Sequence, residues 1–285
     1  MSKLTNLAKN ALADFLRGQG ITLPSSWYIG LLTDFDDDTY TEVTGIDYDR
    51  VEVVRSLSAW SGTQGASTTL PSTGTSHQTS NNEIVDFGAA GSAWGTVTHI
   101  GLFDDDGELW MVAELASPLV INDSDPVYFS AGSIVFTLGL SGGMSDYLAN
   151  KMIDLLFRGQ SFSWPSTTYL GLMTAAPSNA GGGAEVSGGG YARVALPSTM
   201  TAISGTQGPD TTDPSDGTSG RISNNITLQF PPVVGDWGTV GWVEQRDAAA
   251  GGNLLFWRPL AQAKTISAGG ASPKFEPDTY GITFA

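Results

Sequence analysis

The chain has 285 residues, 36 of them glycine, no cysteine, and a formal net charge of −16. The missing cysteine excludes a disulfide framework, a thiolate-ligated zinc and a cysteine nucleophile. The acidity repels phosphates and so argues against a nucleic-acid partner, although it serves equally as plain solubility.

The chain opens MSKLTNLAKNALADFL, an amphipathic stretch. It lacks the basic end, apolar run and cleavage site of a secretory signal, and no apolar run reaches membrane-spanning length. The expectation is synthesis in a cytoplasm, with no membrane partner. Leu4, Leu7, Ala8, Ala11, Leu12, Phe15 and Leu16 follow helical spacing, and Gly18 is the predicted stop. A helix this short has to cover something, and the spacing predicts a lid over a sheet core. Strands are predicted at 27–33, 50–57 (Val51 and Val53 on one face), 96–103, 109–115, 118–121 and 127–138. Asp106-Gly107 reads as a hairpin turn. The second half repeats the order. Ser145 is a predicted N-cap, Leu148, Met152, Leu155 and Leu156 form the apolar stripe, and Gly159 ends the helix. Strands follow at 168–174, 239–245, 253–260, 264–266 and 279–284.

The two halves are copies. Tyr28 and Gly30 return as Tyr169 and Gly171, offset by 141 residues. Glu42, Tyr48, Arg50, Asn81, Asn82, Trp94 and Gly95 return as Glu185, Tyr191, Arg193, Asn224, Asn225, Trp237 and Gly238, offset by 143. Between residues 42 and 97 no gap is needed, and roughly half the positions are identical, which marks a duplicated unit. The sequence therefore predicts a mainly β protein of two tandem homologous β-sandwich, or barrel-like, domains, 1–140 and 144–285, each opened by one short amphipathic helix. A Gly-rich joint, Leu140-Ser141-Gly142-Gly143, connects them.

One long Ser/Thr/Gly/Pro-rich segment interrupts each half, 59–79 and 202–222. Ser61-Gly62-Thr63-Gln64-Gly65 in the first recurs as Ser204-Gly205-Thr206-Gln207-Gly208 in the second. Kept length and letters point to an ordered contact arm, with a plain surface loop as the alternative.

Catalytic chemistry is sparse. The two histidines, His77 and His99, have Gly220 and Trp242 at their duplicate positions, so neither belongs to a shared site. The acidic runs 34–38 and 104–108 lack the spaced loop and terminal Glu of a calcium site and read as solvated turns. Glu42 and Glu185 are the acids most clearly kept in both halves, and pairing with Arg50 and Arg193 fits them better than glycoside cleavage. Trp94 and Trp237 read as core anchors at tight turns rather than sugar platforms. Asn81, Asn82, Asn224 and Asn225 read as turn residues whose amides satisfy the backbone. The sequence points to no catalytic residue, metal or cofactor.

The second-half strings SDYLANKMIDLLFRGQ, TYLGLMTAAP, EVSGGGYARV, ISNN, WGTV and GGNLLFW, with TVTHIGLFD at 96–104 in the first half, carry a resemblance. As a set they resemble a family of small virion structural proteins of tailed bacteriophages, often labelled tail fibre proteins. The resemblance covers 148–257 most strongly and 7–138 in degenerate form; the first half departs at 44–50, where the Gly run of 188–190 is lost. It implies a non-enzymatic protein of the virion exterior, made in the bacterial cytoplasm and present as a homo-oligomer or in many copies. Its implied partners are other virion proteins of capsid, neck or tail. Head decoration or a neck or tail fitting is the expected role. A receptor-binding tail fibre or baseplate protein is the alternative, followed by a glycan-binding or glycan-cleaving tail module.

Overall fold

The structure is a computed structural model and describes residues 2–141 and 143–284. The chain forms two compact units whose boundaries cross the repeat boundary. Unit one gathers the residues up to Ala8, then Thr22–Gly139 and Asn150–Phe162. Unit two gathers Lys9–Ile21, Leu140–Ala149 and everything from Ser163 onward. Each unit therefore contains the C-terminal part of the helix that belongs to the other repeat.

In chain order the first repeat gives β1 (Ser2–Leu4), α1 (Asn6–Leu16), β2 (Ser26–Asp36), β3 (Thr39–Glu42), β4 (Val51–Val54) and β5 (Gln78–Ser80). It continues with β6 (Val85–Ala89), β7 (Gly95–Phe103), β8 (Leu109–Ile121), β9 (Pro126–Phe129) and β10 (Val135–Thr137). The second gives β11 (Leu140–Ser141), α2 (Asp146–Phe157), β12 (Thr167–Ala175), β13 (Ala184–Glu185), β14 (Val194–Pro197) and β15 (Arg221–Ser223). Then follow β16 (Leu228–Gln229), β17 (Gly238–Arg246), β18 (Leu254–Ile266), β19 (Lys274–Phe275) and β20 (Gly281–Phe284).

Unit one is built on the antiparallel order β1-β8-β7-β2-β3, with β4 also on the outer edge of β2, and two ribbons, β10-β5 and β6-β9. Unit two has β13-β12-β17-β18 with β14 on β12, a ribbon β16-β19, and a sheet β11-β20-β15. The fold is mainly β, as the regularly spaced short strands predict. The barrel-like variant is corrected: among the described residues no sheet closes, because short strands share one edge of β2 or β12 while β1 or β18 ends the other.

Two pairs of predicted strands merge. β8 and β18 each run 13 residues. Their partners skip register between Val97 and His99 and between Val240 and Trp242, so the extra residues 115–118 and 260–263 are absorbed as bulges. The predicted strand 127–138 is instead two, β9 and β10, split by a turn in which Ser133 donates to the Ser130 carbonyl.

β2 is buried on both faces. On one side Leu32, Phe103, Leu109 and Val112 form a cluster with Tyr28 and Phe35 packed against it. On the other, Trp27 packs on Trp110 (5.4 Å between ring centres) and on Phe157 (6.4 Å), and Phe157 also meets Trp60 at 5.1 Å and Phe136 at 5.7 Å. In unit two, Trp164 fills the comparable space between Phe15 (6.2 Å) and Phe256 (6.4 Å). The helical stripes explain this burial with three corrections: Leu4 lies in β1 rather than in the helix, Ala11 is half-buried, and Leu7 is 41% exposed while Ala13 is buried. The predicted caps form. Ser145 accepts the Leu148 amide at 3.1 Å, and Gly18 and Gly159 close the helices at φ of 79° and 68°.

Candidate functional site

Glu42, at the end of β3, and Arg50, just before β4, form a two-pronged pair: Nε to Oε1 at 2.8 Å and Nη2 to Oε2 at 2.7 Å. Tyr48 donates to Glu42 Oε1 at 2.8 Å and accepts the Leu31 amide at 2.8 Å. Unit two repeats every contact. Arg193 reaches Glu185 at 2.8 and 2.7 Å, Tyr191 donates to Glu185 at 2.9 Å, and the Leu172 amide donates to Tyr191 at 2.8 Å. The clamp fastens the edge of the sheet at β2 and β12. Bidentate Arg–carboxylate geometry of this kind is among the stronger polar contacts.

The clamp also explains Gly30 and Gly171. A Cβ on Gly30 would lie 2.8 Å from Glu42 Oε1 and 2.7 Å from the Phe103 ring, and one on Gly171 would lie 2.9 Å from Glu185 Oε1. Tyr28 and Tyr169 flank these glycines, half-buried on β2 and β12. The copies diverge beneath the clamp. Gly30 faces Gly101 across the sheet, whereas Gly171 faces Glu244. In unit one Arg50 lies over the Phe103 ring at 3.4 Å. In unit two Arg246 stands where Phe103 stood, and the fully buried Glu244 lies 2.8 Å from Arg246 and 3.5 Å from Arg193.

Burial, with the adjacent carboxylates, pushes the Tyr48 and Tyr191 phenols up. Burial would also raise Glu185, but the Arg193 and Tyr191 hydrogen bonds and charge outweigh it and hold the carboxyl below its ordinary value. A depressed carboxyl contributes stability that is present above its unfolded pKa, about 4.3, and is lost as pH falls through the folded value. The melting temperature of the wild type is therefore expected to drop more steeply below about pH 4.3 than that of Glu185→Gln. Parallel acid limbs in a thermal melt series would refute this.

The tryptophans and asparagines frame backbone. Trp94 and Trp237 are buried, and their Nε1 atoms donate to the Ile46 and Gly189 carbonyls at 3.0 Å each. Tyr48 and Tyr191 meet them edge-on at 5.3 and 5.2 Å. Gly95 and Gly238 follow in left-handed conformation, at φ of 85° and 80°, and open β7 and β17. Asn81 donates to the Glu83 and Ser130 carbonyls (2.7 and 2.9 Å) and accepts the Ile134 amide at 2.9 Å. Asn224 does the same with Ile226, Glu276 and Tyr280, each at 2.8 Å. Asn82 donates to the Thr68 carbonyl at 3.3 Å, and Asn225 to that of Thr211 at 3.1 Å.

The segments 59–79 and 202–222 are ordered by their own hydroxyls and by a helix. Ser61, Gly62 and Thr63 are buried while Gln64 and Gly65 face solvent; Ser204, Gly205 and Thr206 are buried, Gln207 is exposed and Gly208 half-buried. Thr63 accepts the Gly74 amide at 2.8 Å and Thr206 that of Gly217 at 2.9 Å. In unit one Arg158 is fully buried and donates to the carbonyls of Trp60 (3.0 Å), Leu70 (2.7 Å) and Thr68 (3.3 Å). Asp154 pairs with Arg158 at 2.6 Å and accepts the Ser72 amide and hydroxyl at 2.9 and 2.6 Å. In unit two Arg17 donates to Ile203 (3.0 Å) and Asp213 (2.9 Å), and Asp14 pairs with Arg17 at 2.7 Å and accepts the Ser215 hydroxyl at 2.7 Å. Asn150 meets Thr63, and Asn10 meets Thr206.

This latch was missed in the sequence because the offset of 141 aligns Asp14 with Leu155. The residue before the Arg-Gly-Gln turn shifts by one, from an i,i+3 pair in α1 to an i,i+4 pair in α2. The available signal was an Asn four residues before an Asp in both helices.

The acidic runs cap turns. Asp38 accepts the Asn6 amide at 2.9 Å, and Asp104 accepts the Asp106 and Glu108 amides and the Trp110 indole at 3.1, 2.8 and 2.7 Å. Among the described residues no group of three or more His, Cys, Asp or Glu is placed to hold a metal ion. Burial lowers His99, which lies within 2.8 Å of the Thr98 hydroxyl, and His77 sits in left-handed backbone before β5.

Beyond this framework stands one feature at the loop tip over each buried tryptophan. In unit one Ile46 is 63% exposed and lies over Gly91, where a Cβ would come 2.9 Å from the Ile46 side chain. In unit two the duplicate pair is inverted: Gly189 replaces Ile46, and Val234, 74% exposed, replaces Gly91. The turn itself is kept, with Gly91 N donating to Ile46 O at 3.1 Å and Val234 N to Gly189 O at 3.0 Å. Each tip thus presents one branched aliphatic side chain to solvent, from opposite loops.

A family described as podophage GP4 fiber I protein gp80 matches residues 3–137 and again 143–283. No curated protein matches the chain.

Proposed function

From the premise that this chain belongs to the podophage fibre family, as two tandem copies of its module, we propose that it is a non-enzymatic fibre component working by protein–protein contact. It is a structural protein of the virion and interacts with other virion components, and among the described residues no helix is long and apolar enough to cross a membrane. The observation that carries the non-enzymatic reading is the fate of the repeated polar residues. Glu42, Tyr48, Arg50, Asn81 and their duplicates are all engaged in holding backbone or one another. A catalytic acid or base needs a free face toward substrate, and the Glu42 and Glu185 carboxylates, only 19% and 28% exposed, are each already held by an arginine and a tyrosine. Trp94 and Trp237 are buried, which withdraws the ring faces that a sugar would stack on.

The contact surfaces we assign are two, each taken by itself: the tip bearing Ile46 on unit one and the tip bearing Val234 on unit two; the exposed outer turns carrying Gln64 and Gln207 are further candidate contacts. The partner each tip fits is a virion protein with shallow apolar pockets, because a lone aliphatic on a Gly-rich turn inserts with little polar desolvation. The double variant Ile46→Asp/Val234→Asp is expected to keep its circular dichroism and melting profile yet lose incorporation into particles by about tenfold or more, the scale of a central apolar contact. Undiminished incorporation would remove the tips from the account. Labelling the chain in purified particles locates it. Signal on fibres or at the tail fits the reading, and signal spread regularly over the head replaces it with decoration. Robust turnover of host surface polysaccharide by the purified protein would overturn the non-enzymatic reading.

A further inference from the structure

We infer that the two repeats are interlocked by exchange of their helices, so that the module completes its fold only with the helix of a second module. The helix segment inside unit one comes from the second repeat, and the one inside unit two comes from the first. These segments are structural centres of the units that receive them. Phe157 is buried against Trp27, Trp60 and Phe136. The Leu156 carbonyl at the end of α2 accepts the Trp27 indole and the Arg55 guanidinium, both at 2.8 Å. Arg158 and Asp154 hold the segment 59–79, and Arg17 and Asp14 hold 202–222. Without the donated helix, Trp60 and Phe136 lose their cover, and the carbonyls of residues 60 and 70 lose the Arg158 donor. The acceptor chemistry is the same in both units, which makes the partner of one module a second copy of the module, here supplied in the same chain at high effective concentration.

The absence of native cysteine allows a clean test on the full chain. Thr63 and Asn150 touch in unit one. Thr63→Cys/Asn150→Cys is expected to be joined by a short bifunctional thiol reagent within one chain, while Thr63→Cys/Asn10→Cys is not. A second variant carries a protease site at Gly142. After cleavage the two fragments are expected to co-elute at the mass of the intact chain under native conditions and to separate only in denaturant. A crosslink between 63 and 10, a 63–150 crosslink found only between two chains, or cleaved fragments that part while each keeps its native circular dichroism would overturn the inference. None of these outcomes depends on where the protein sits in the particle or on whether it is an enzyme.

Discussion

Replacing Arg158 with alanine is expected to cost about 3–5 kcal/mol, because it leaves the Asp154 carboxylate in a site with no compensating charge. The side chains of Arg158 and Asp154 are 0% and 8% exposed. The substitution also strips the donor from the carbonyls of residues 60 and 70, while that of Thr68 keeps Asn82, and an unsatisfied buried acceptor carries its own desolvation cost. Arg17→Ala is expected to weaken unit two by a smaller amount, since Asp14 is 18% exposed and water can reach it. Arg158→Lys should recover part of the loss but not all, because an ammonium cannot reproduce the fork that spans Asp154 and three carbonyls. Denaturant unfolding checks the order wild type, Lys, Ala. A midpoint for Arg158→Ala within about 0.5 kcal/mol of wild type, the usual range for a surface change, would mean that the latch is not structural.

Trp60→Ala is expected to cost a similar amount, about 3–5 kcal/mol, through the cavity it opens among Phe136, Phe157 and the helix end. Trp60 is fully buried, and its Nε1 has no hydrogen-bond partner among the described residues. Trp60→Phe should therefore lose far less, about 1 kcal/mol or under, since it removes an unsatisfied donor while keeping most of the apolar volume. The second repeat already places an aliphatic residue, Ile203, at this position. Thermal melts of the two variants decide it. If phenylalanine were as damaging as alanine, the indole N–H would have to be making a contact that the structure does not show.

Much of this protein is legible in its sequence. The offset repeats locate both modules, β-rich runs between turn residues place β2, β7, β12 and β17, and Asp106-Gly107 marks its hairpin. These are local signals: a period, a turn residue or a cap acts over a few positions whatever lies further away. The pairing of Glu42 with Arg50 was also open to reading, because the two lie only eight positions apart along the chain in both copies. The bulges in β8 and β18 were not, since residues 116–117 and 261–263 read as breaks until a partner strand is seen to skip past them.

By itself, then, the sequence determined that there are two tandem β-rich modules, each opened by a helix, and that Glu42 and Glu185 each have a nearby arginine to pair with. Only the tertiary structure decided which helix serves which unit. Both helices offer the same Asn, Asp and Arg-Gly-Gln set, and both Ser/Thr-rich segments offer the same carbonyls and hydroxyls to receive it. Local chemistry is degenerate between keeping a helix and exchanging it, and long-range packing removes the degeneracy, placing Phe157 against Trp60 in unit one and Phe15 against Trp164 in unit two.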